Sequence, residues 1–427
     1  MVREYKDSGI TWIGRIPQDW NTTKLGSLYT QRNEKVSDKD YAPLSVTMQG
    51  ILPQLETAAK TDDGDNRKLV KKGDFAINSR SDRRGSCGIS PYDGSVSLIN
   101  TILKPRGEMN PNFYNWLFHT SPFADEFYKW GHGIVDDLWT TRWQEMKNIS
   151  VVIPSLEEQQ KISIFLDKKC SIIDSLISLQ EQMMEQLTNY KLSVITEAVT
   201  KGLNDEVQFV SSGIEWIGDV PKHWDINKLF NLCTIKGRIG WKGLRSDEFK
   251  ENSYAYLVTG QDFKSADIDW KKCYQIDKER YDEDPYIQLN EGDLLVTKDG
   301  SIGKIAKVGK LDKPACLNSG IFVLKQRKDI FYPNYLYWYL ESPLLLRYNS
   351  FINTGGTTII HLYQNVFERF TLLIPPMDEQ QSIASYLDKK CGEIDKLLEI
   401  KKEKLEALKN YKKSVIFEAV TGKIKIY

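Results

Sequence analysis

The chain carries one long stretch twice, and whatever it folds into must accommodate both copies. Residues 154–203 and 375–424 align without a gap: Glu158-Gln159-Gln160 returns as Glu379-Gln380-Gln381, Leu166 to Cys170 as Leu387 to Cys391, Ile173-Asp174 as Ile394-Asp395, and Glu197 to Thr200 as Glu418 to Thr421. A period this long marks a duplicated domain unit rather than a short-repeat solenoid. In the first copy Ile162, Leu166, Ile173, Leu176, Leu187, Val194 and Ala198 keep a three-and-four spacing. In the second, Ile383, Leu387, Ile394, Leu397, Leu405, Leu408 and Val415 do the same, which predicts one long helix per copy. Proline precedes each start, and Gly202 or Gly422 follows each end, where a left-handed cap falls. About 42 residues at ~1.5 Å rise make a helix of roughly 60 Å. With a narrow apolar seam it needs a partner, and the other copy is at hand.

A second repeat opens each half: the segment from Ser8 to Trp20 (SGITWIGRIPQDW) returns from Ser212 to Trp224 (SGIEWIGDVPKHW). Its glycines and proline punctuate turns, and its tryptophans and isoleucines are expected to pin it onto a hydrophobic surface, a stacking platform for bases being the alternative. Between this segment and the long helix, short apolar runs alternate with glycine and aspartate turns. Asp74-Phe75-Ala76-Ile77, Ser97-Leu98-Ile99, Asp293-Leu294-Leu295-Val296 and Gly320-Ile321-Phe322-Val323 read as strands. Helical patterns follow from Pro111 to Lys129 and from Pro333 to Tyr348, both opening with Pro-Asn. Each half therefore reads as an α+β globule. Gly73-Asp74 matches Gly292-Asp293, and Gly85-Ser86-Cys87-Gly88 matches Gly300-Ser301-Ile302-Gly303, while the loops between differ. A shared frame with unlike loops suggests two related modules that recognise different things.

Composition excludes several classes. With 41% hydrophobic and 27% charged residues, the chain has the material for two or three cored domains and is not a disordered type. No run approaches the ~18 apolar residues of a membrane span, and the start lacks the apolar core of a signal peptide, so no membrane partner and a cytoplasmic location are expected. Six cysteines stand apart with no C-x-x-C pair, and Cys170 and Cys391, equivalent in the repeat, read as small apolar residues. The four histidines lack ligand-like spacing, so no metal is expected. Catalytic motifs are missing too: no phosphate loop, no Rossmann glycine fingerprint, no HExxH and no GxSxG. Gly300-Ser301-Ile302-Gly303-Lys304 lacks the phosphate-loop spacing, and Asn110-Pro111-Asn112-Phe113 lacks the second proline of an amino-methyltransferase loop.

The formal net charge is zero, so any case for nucleic acid rests on local clusters. Arg67, Lys68, Lys71, Lys72, Arg80, Arg83, Arg84, Lys104 and Arg106 crowd one part of the first half. In the second half Lys228, Lys236, Arg238, Lys242 and Arg245 form one group, and Lys298, Lys304, Lys307, Lys310 and Lys313 another. Such loops can neutralise phosphates, and arginine can read guanine edges; a solvated face is the alternative. The polar loops before each long helix, with Trp139, Thr141 and Arg142 in one and Thr357 and Thr358 in the other, carry hydroxyls and amides suited to sugar-phosphate or base contacts.

Together the paired Pro-x-x-x-Glu-Gln-Gln helices with their Leu-Asp-Lys-Lys and Ile-Asp elements, the repeated Ser-Gly-Ile-x-Trp-Ile-Gly segment and the Gly-Ser-x-Gly turn resemble the specificity subunit of type I restriction-modification enzymes. The resemblance covers essentially the whole chain; Pro375-Pro376 keeps the family's double proline and Pro154-Ser155 does not. It implies two similar target-recognition domains separated by two long antiparallel helices, a coiled coil with internal pseudo-twofold repeat. The boundaries expected are 1–153 for the first domain, 154–205 for the first helix, 206–374 for the second domain and 375–427 for the second helix and tail. Each domain would read one half of a bipartite double-stranded DNA target. The helices would set the gap and dock two modification subunits, with or without two restriction subunits. Catalysis would belong to those partners, which use S-adenosylmethionine for adenine N6 methylation and ATP and Mg for cleavage, leaving this chain without cofactor. The candidate DNA contacts are Arg80, Arg83, Arg84, Ser86, Trp139, Thr141 and Arg142 in the first domain. In the second they are Lys236, Arg238, Lys242, Lys298, Ser301, Lys304, Thr357 and Thr358. A non-enzymatic coiled-coil scaffold for protein partners is the alternative, and a cryptic nuclease or methyltransferase a third.

Overall fold

The computed structural model describes residues 3–54, 64–133, 139–238, 244–300, 302–327, 330–352 and 361–426, with backbone alone at 81 and 246. Contacts divide the chain into two compact units, Met1–Glu181 with Lys402–Tyr427, and Gln182–Lys401.

In the first unit the opening segment buries Ile10, Ile13, Ile16 and Trp20 in the core, the packing role its composition suggests. Strand Asn21–Lys24 then pairs antiparallel with Ser150–Ile153, so the domain's last strand lies beside its first. Pro154 follows, which has no N–H with which to continue a ladder, and the first long helix, Leu156–Lys201, begins. A four-stranded antiparallel sheet runs in the order Cys87–Ile89, Phe75–Asn78, Asn100–Pro105, Tyr29–Arg32. Helices Pro111–Phe118 and Ser121–Lys129 supply an aromatic layer to it, with Phe118 5.0 Å from Phe75 and 4.5 Å from Phe123. The sequence suggests one helix here. Two form because Thr120 leaves helical geometry to accept the Phe123 N–H with its side chain and Pro122 opens the next turn.

The second unit repeats the plan. Asp225–Lys228 pairs with Thr371–Ile374 ahead of Pro375 and the second long helix, Met377–Val420. Its sheet runs Cys233–Lys236, Ile321–Gln326, Leu294–Thr297, Ile305–Lys307. Here too the helical stretch is two helices, Pro333–Glu341 and Leu344–Ile352; Ser342 is extended because it precedes a proline. Ser97-Leu98-Ile99 is a turn and not the strand its composition suggests, since the chain must reverse between Gly94–Val96 and Asn100–Pro105. Gly320 likewise belongs to the turn before Ile321.

Each unit holds part of both long helices, packed antiparallel. In the first, Lys412 donates to both oxygens of Asp174 at 2.6 Å, and Lys169 lies over the Tyr411 ring at 5.6 Å. In the second the repeat-equivalent residues exchange helices: Lys191 donates to Asp395 at 2.7 Å and Lys390 lies over Tyr190 at 5.8 Å. Ile162, Leu166, Cys170 and Ile173 are buried, as are Ile383, Leu387, Cys391 and Ile394. Leu176 and Leu397 depart from the expected seam, being 45% and 48% exposed. At 100° per residue they share a second stripe with Leu179 and Ile400, which are exposed as well.

Candidate nucleic-acid interface

The repeated helix motif turns out to fasten each domain to its helix. In the first unit the Trp20 indole donates to Glu158 at 2.8 Å, and Arg3 pairs with the same carboxylate. Gln159 accepts the Asn110 N–H at 2.8 Å and donates to the Pro154 carbonyl at 3.0 Å, while Asp167 accepts the Trp116 indole at 2.9 Å. The second unit answers residue for residue. Trp224 donates to Glu379 at 2.9 Å and Trp338 to Asp388 at 2.8 Å. Gln380 accepts from Tyr332 N–H at 2.9 Å and donates to the carbonyls of Ile330 and Pro375 at 3.0 and 2.9 Å. These side chains are spoken for, so recognition lies elsewhere.

The glycine-aspartate turns are also framework. Asp74 accepts from Arg32 Nε at 2.6 Å and from the Lys71 N–H at 2.9 Å, and that hydrogen bond raises the Arg32 pKa. Asp293 takes Lys325 at 2.9 Å and the Asn290 N–H at 2.8 Å. Each turn launches a central strand, Phe75–Asn78 or Leu294–Thr297, and a concavity lies at the far end of that strand in both units.

In the first unit it measures about 340 Å³ and is lined by Gln31, Lys68, Ser79, Leu98, Ile99, Thr101, Thr140, Arg142, Trp143 and Gln144. Lys68 donates to the Asn100 carbonyl at 2.7 Å, and burial pulls its pKa down. Arg80 bridges Thr140 through the backbone, and the Tyr128 hydroxyl donates to its carbonyl at 2.9 Å. Beyond it, Ser81–Arg83 form a 3-10 turn that holds Arg83 out in solvent, 68% exposed. Arg84 pairs with Asp125 and lies over Tyr128 at 5.6 Å.

In the second unit the concavity measures about 600 Å³ and is lined by Phe249, Thr259, Gly260, Gln261, Tyr274, Asp299, Gly300, Lys304, Ser319 and Gly320. The Phe249 and Tyr274 rings are 5.3 Å apart, and His361 Nδ1 lies 2.6 Å from Asp299 Oδ1. The two sites occupy matching places. Leu98 and Ile99 sit in the turn before strand Asn100–Pro105, and Ser319 and Gly320 in the turn before Ile321–Gln326. The frame is common and the lining is not.

Of the residues singled out from the sequence, Arg142 lines the first concavity and Lys304 the second; Arg80 is bridged through its backbone to Thr140, which lines the first, and Arg83 and Arg84 follow it in the chain without lining that concavity. Lys236 is half-buried over the Tyr286 ring at 5.5 Å, and Lys298 lies over Phe322 at 5.2 Å. Three candidates are corrected by burial. Ser86 lies in the core, where its N–H donates to the Arg83 carbonyl. Thr141 is wholly buried, its hydroxyl donating to Phe127 O at 2.8 Å. Arg238 is 3% exposed and donates to Leu317 O at 2.9 Å. Trp139 is turned inward, its indole donating to Tyr128 O at 2.8 Å. Lys242, Ser301, Thr357 and Thr358 lie outside the described residues. Gln31, Gln144, Gln261, Asp299 and His361 went unnoticed in the sequence. One signal pointed to part of this set: Val46-Thr47-x-Gln49 and Val258-Thr259-x-Gln261 repeat inside otherwise unlike loops, and in both the threonine hydroxyl accepts the glutamine N–H, at 3.1 and 3.3 Å.

Among the described residues no group of His, Cys, Asp or Glu is placed to hold a metal, and no helix is long and apolar enough to cross a membrane. A duplicated α+β reader with a charged concavity per copy, joined to two long helices, is the architecture of a DNA-specificity component. The family described as type I restriction modification DNA specificity domain matches residues 17–189 and 221–410, and the chain belongs to it, as a specificity subunit with two DNA-recognition domains. The Type I restriction enzyme MjaVIII specificity subunit of Methanocaldococcus jannaschii is 26% identical over 96% of this chain and 94% of its own length. The putative MjaX specificity subunit of the same organism is 22% identical over 100% and 99%. Among solved structures, a chain from a study of complex assembly and conformational transition of the type I R-M system aligns with TM-score 0.74 at 16% identity, over 96% of this chain and 99% of that one. The HsdS subunit from Thermoanaerobacter tengcongensis aligns with TM-score 0.53 at 15% identity, over 96% and 98%. The fold class expected from the repeats is therefore the observed one.

Proposed function

We propose that each recognition domain reads one half of a split duplex target and that the two long helices set the number of unread base pairs between the halves. The observation that carries this reading is the pair of concavities with one frame and two linings. A common frame gives both domains the same approach to a duplex, and different linings give different donors and acceptors, which is what two unlike half-sites require. Half-sites read on one DNA face lie about one helical turn, roughly 34–36 Å, apart, and stiff helices are suited to hold such a spacing. The domains are residues 1–153 and 206–374, and the helical segments 154–205 and 375–427.

The chemistry sits in other chains. Methylating a base requires taking it out of the stack. In this reading two modification subunits use S-adenosylmethionine to methylate adenine at N6, and restriction subunits, where present, cleave with ATP and Mg. Leu176 with Leu179 and Leu397 with Ile400 form apolar patches at equivalent places on the two helices, a pattern that suits two copies of one partner. The assembly works in the cytoplasm, with no cofactor on this chain.

The test is to co-express the subunit with its modification partner in a methylase-free host and map N6-methyladenine across the genome. A two-part motif with a fixed gap is expected. Replacing Arg80, Arg83 and Arg84 with alanine should relax one half only. An uninterrupted motif, no motif, or equal relaxation of both halves in a folded variant would refute the division of labour.

A further inference from the structure

We infer that Asp299 is a specificity-determining residue that accepts a hydrogen bond from an exocyclic amino group of cytosine or adenine in the half-site read by the second unit. The inference rests on the half-site reading above. Asp299 lies just beyond strand Leu294–Thr297 and lines the second concavity together with Thr259, Gln261, Lys304 and Ser319. Its Oδ1 receives His361 Nδ1 at 2.6 Å. Its Oδ2 faces Gly320, where a Cβ would come within 3.6 Å, and has no hydrogen-bond partner among the described residues.

A carboxylate has a narrow choice on DNA. It only accepts hydrogen bonds, and phosphates repel it, so a backbone contact is unfavourable. The donors on base edges in the major groove are cytosine N4 and adenine N6. An acid in a phosphate-binding concavity can therefore serve base readout by meeting one of these amino groups. Lys304, lining the same concavity, carries the positive charge that a neighbouring phosphate requires. The corresponding residue of the first unit, by place after the central strand, is Arg80, whose side chain only donates. Residues of opposite hydrogen-bonding polarity thus stand at matching places in the two units. His361 acts as a positioning residue: by occupying Oδ1 it aims Oδ2 outward and fixes the carboxylate plane.

The experiment uses the full subunit assembled with its modification partner, with methylated-adenine maps for the unsubstituted protein, Asp299→Ala and Asp299→Asn. Asp299→Ala is expected to lose discrimination at one base pair of one half-site by about tenfold to a hundredfold, with every other position and the other half unchanged. Asp299→Asn keeps a carbonyl acceptor for the same amino group, so it should retain the same base pair there, with discrimination weaker than in the unsubstituted protein and stronger than in Asp299→Ala. The pair read by the unsubstituted protein tells which amino group is used. His361→Ala should weaken the same position, and His361→Gln, which keeps a donor, should recover it. Three identical motifs, or a half-site degraded throughout by Asp299→Ala, would overturn the inference; the intact other half certifies folding and assembly. If the unsubstituted complex yields no two-part motif, the half-site reading fails first, and this inference with it.

Discussion

Gln159 and Gln380 offer a comparison in which one chain is its own control. Gln159 bonds two backbone groups, a part-buried N–H of Asn110 and the buried carbonyl of Pro154. Gln380 bonds three, the N–H of Tyr332 and the carbonyls of Ile330 and Pro375. Truncation to alanine leaves these groups without partners in places that water reaches poorly. Counting ~1 kcal/mol for a part-buried group and ~2 kcal/mol for a buried one, Gln159→Ala costs about 3 kcal/mol and Gln380→Ala about 4 kcal/mol. Both partners tie a helix of the recognition domain to the long helix, so the loss should appear as local opening of Pro111–Phe118 in one case and Pro333–Glu341 in the other. Hydrogen exchange read by mass spectrometry reports such openings directly. Protection should fall by more than a hundredfold in the first variant and by roughly seven-hundredfold in the second, each confined to its own unit. Effects below tenfold would show that the glutamines are not fastening the domains. So would a loss spread evenly over both units from a single substitution.

Two further perturbations test packing. Gly422 has φ of +71°, and a Cβ there would stand 2.6 Å from the Pro17 side chain and 3.0 Å from the Trp20 ring; Gly422→Ala should cost more than ~1 kcal/mol and lower the melting temperature of the first unit. The Cys87 and Cys233 thiols are pushed up to about 12 by burial, so they should resist a thiol reagent at pH 8 until the protein is denatured. Because these folded-state values lie above the ordinary value of 9.0, their contribution to stability is whole below about pH 9 and is lost as pH rises toward 12. The urea midpoint should accordingly decline from pH 8.5 to 10.5, and a midpoint that rose over that range would contradict the assignment.

What the sequence disclosed depended on how local each job is. Glu158, Gln159 and Asp167 reappear as Glu379, Gln380 and Asp388 because each must meet one indole or one backbone group at fixed reach, and few side chains satisfy such a demand. Periodicity placed the long helices but not their faces. Leu176 fits the spacing of the buried stripe, yet it belongs equally to the stripe of Leu179, and only the partner's position decides which stripe is covered. The concavities were harder still. Asp299 and His361 are far apart in the chain and come within 2.6 Å only when the fold closes, so no local pattern joins them.

The basic clusters carried a further ambiguity, because counting charges says nothing of where the charges point. Arg67 and Arg238, from non-equivalent places in the two halves, do the same internal work. Arg67 donates from Nε to Ser95 Oγ at 2.8 Å and from Nη2 to the Ser95 carbonyl at 3.0 Å, and burial lowers its pKa. Arg238 donates to Leu317 O at 2.9 Å and reaches Cys316 Sγ at 3.6 Å, on the matching strand Ala315–Leu317. Removing either orphans buried acceptors and opens a cavity, so Arg67→Ala and Arg238→Ala should each lose about 2–3 kcal/mol of stability. Neither should alter the salt dependence of duplex binding, since a buried cation releases no counterion from DNA. Arg83→Ala should do the reverse: stability unchanged within ~0.5 kcal/mol, and the slope of log K against log salt shallower by about 0.9 if the side chain meets a phosphate. Measured with the modification partner bound, a shallower slope for Arg238→Ala at an unchanged melting temperature would place that arginine on the DNA and undo the separation of framework from interface on which the second unit's reading rests.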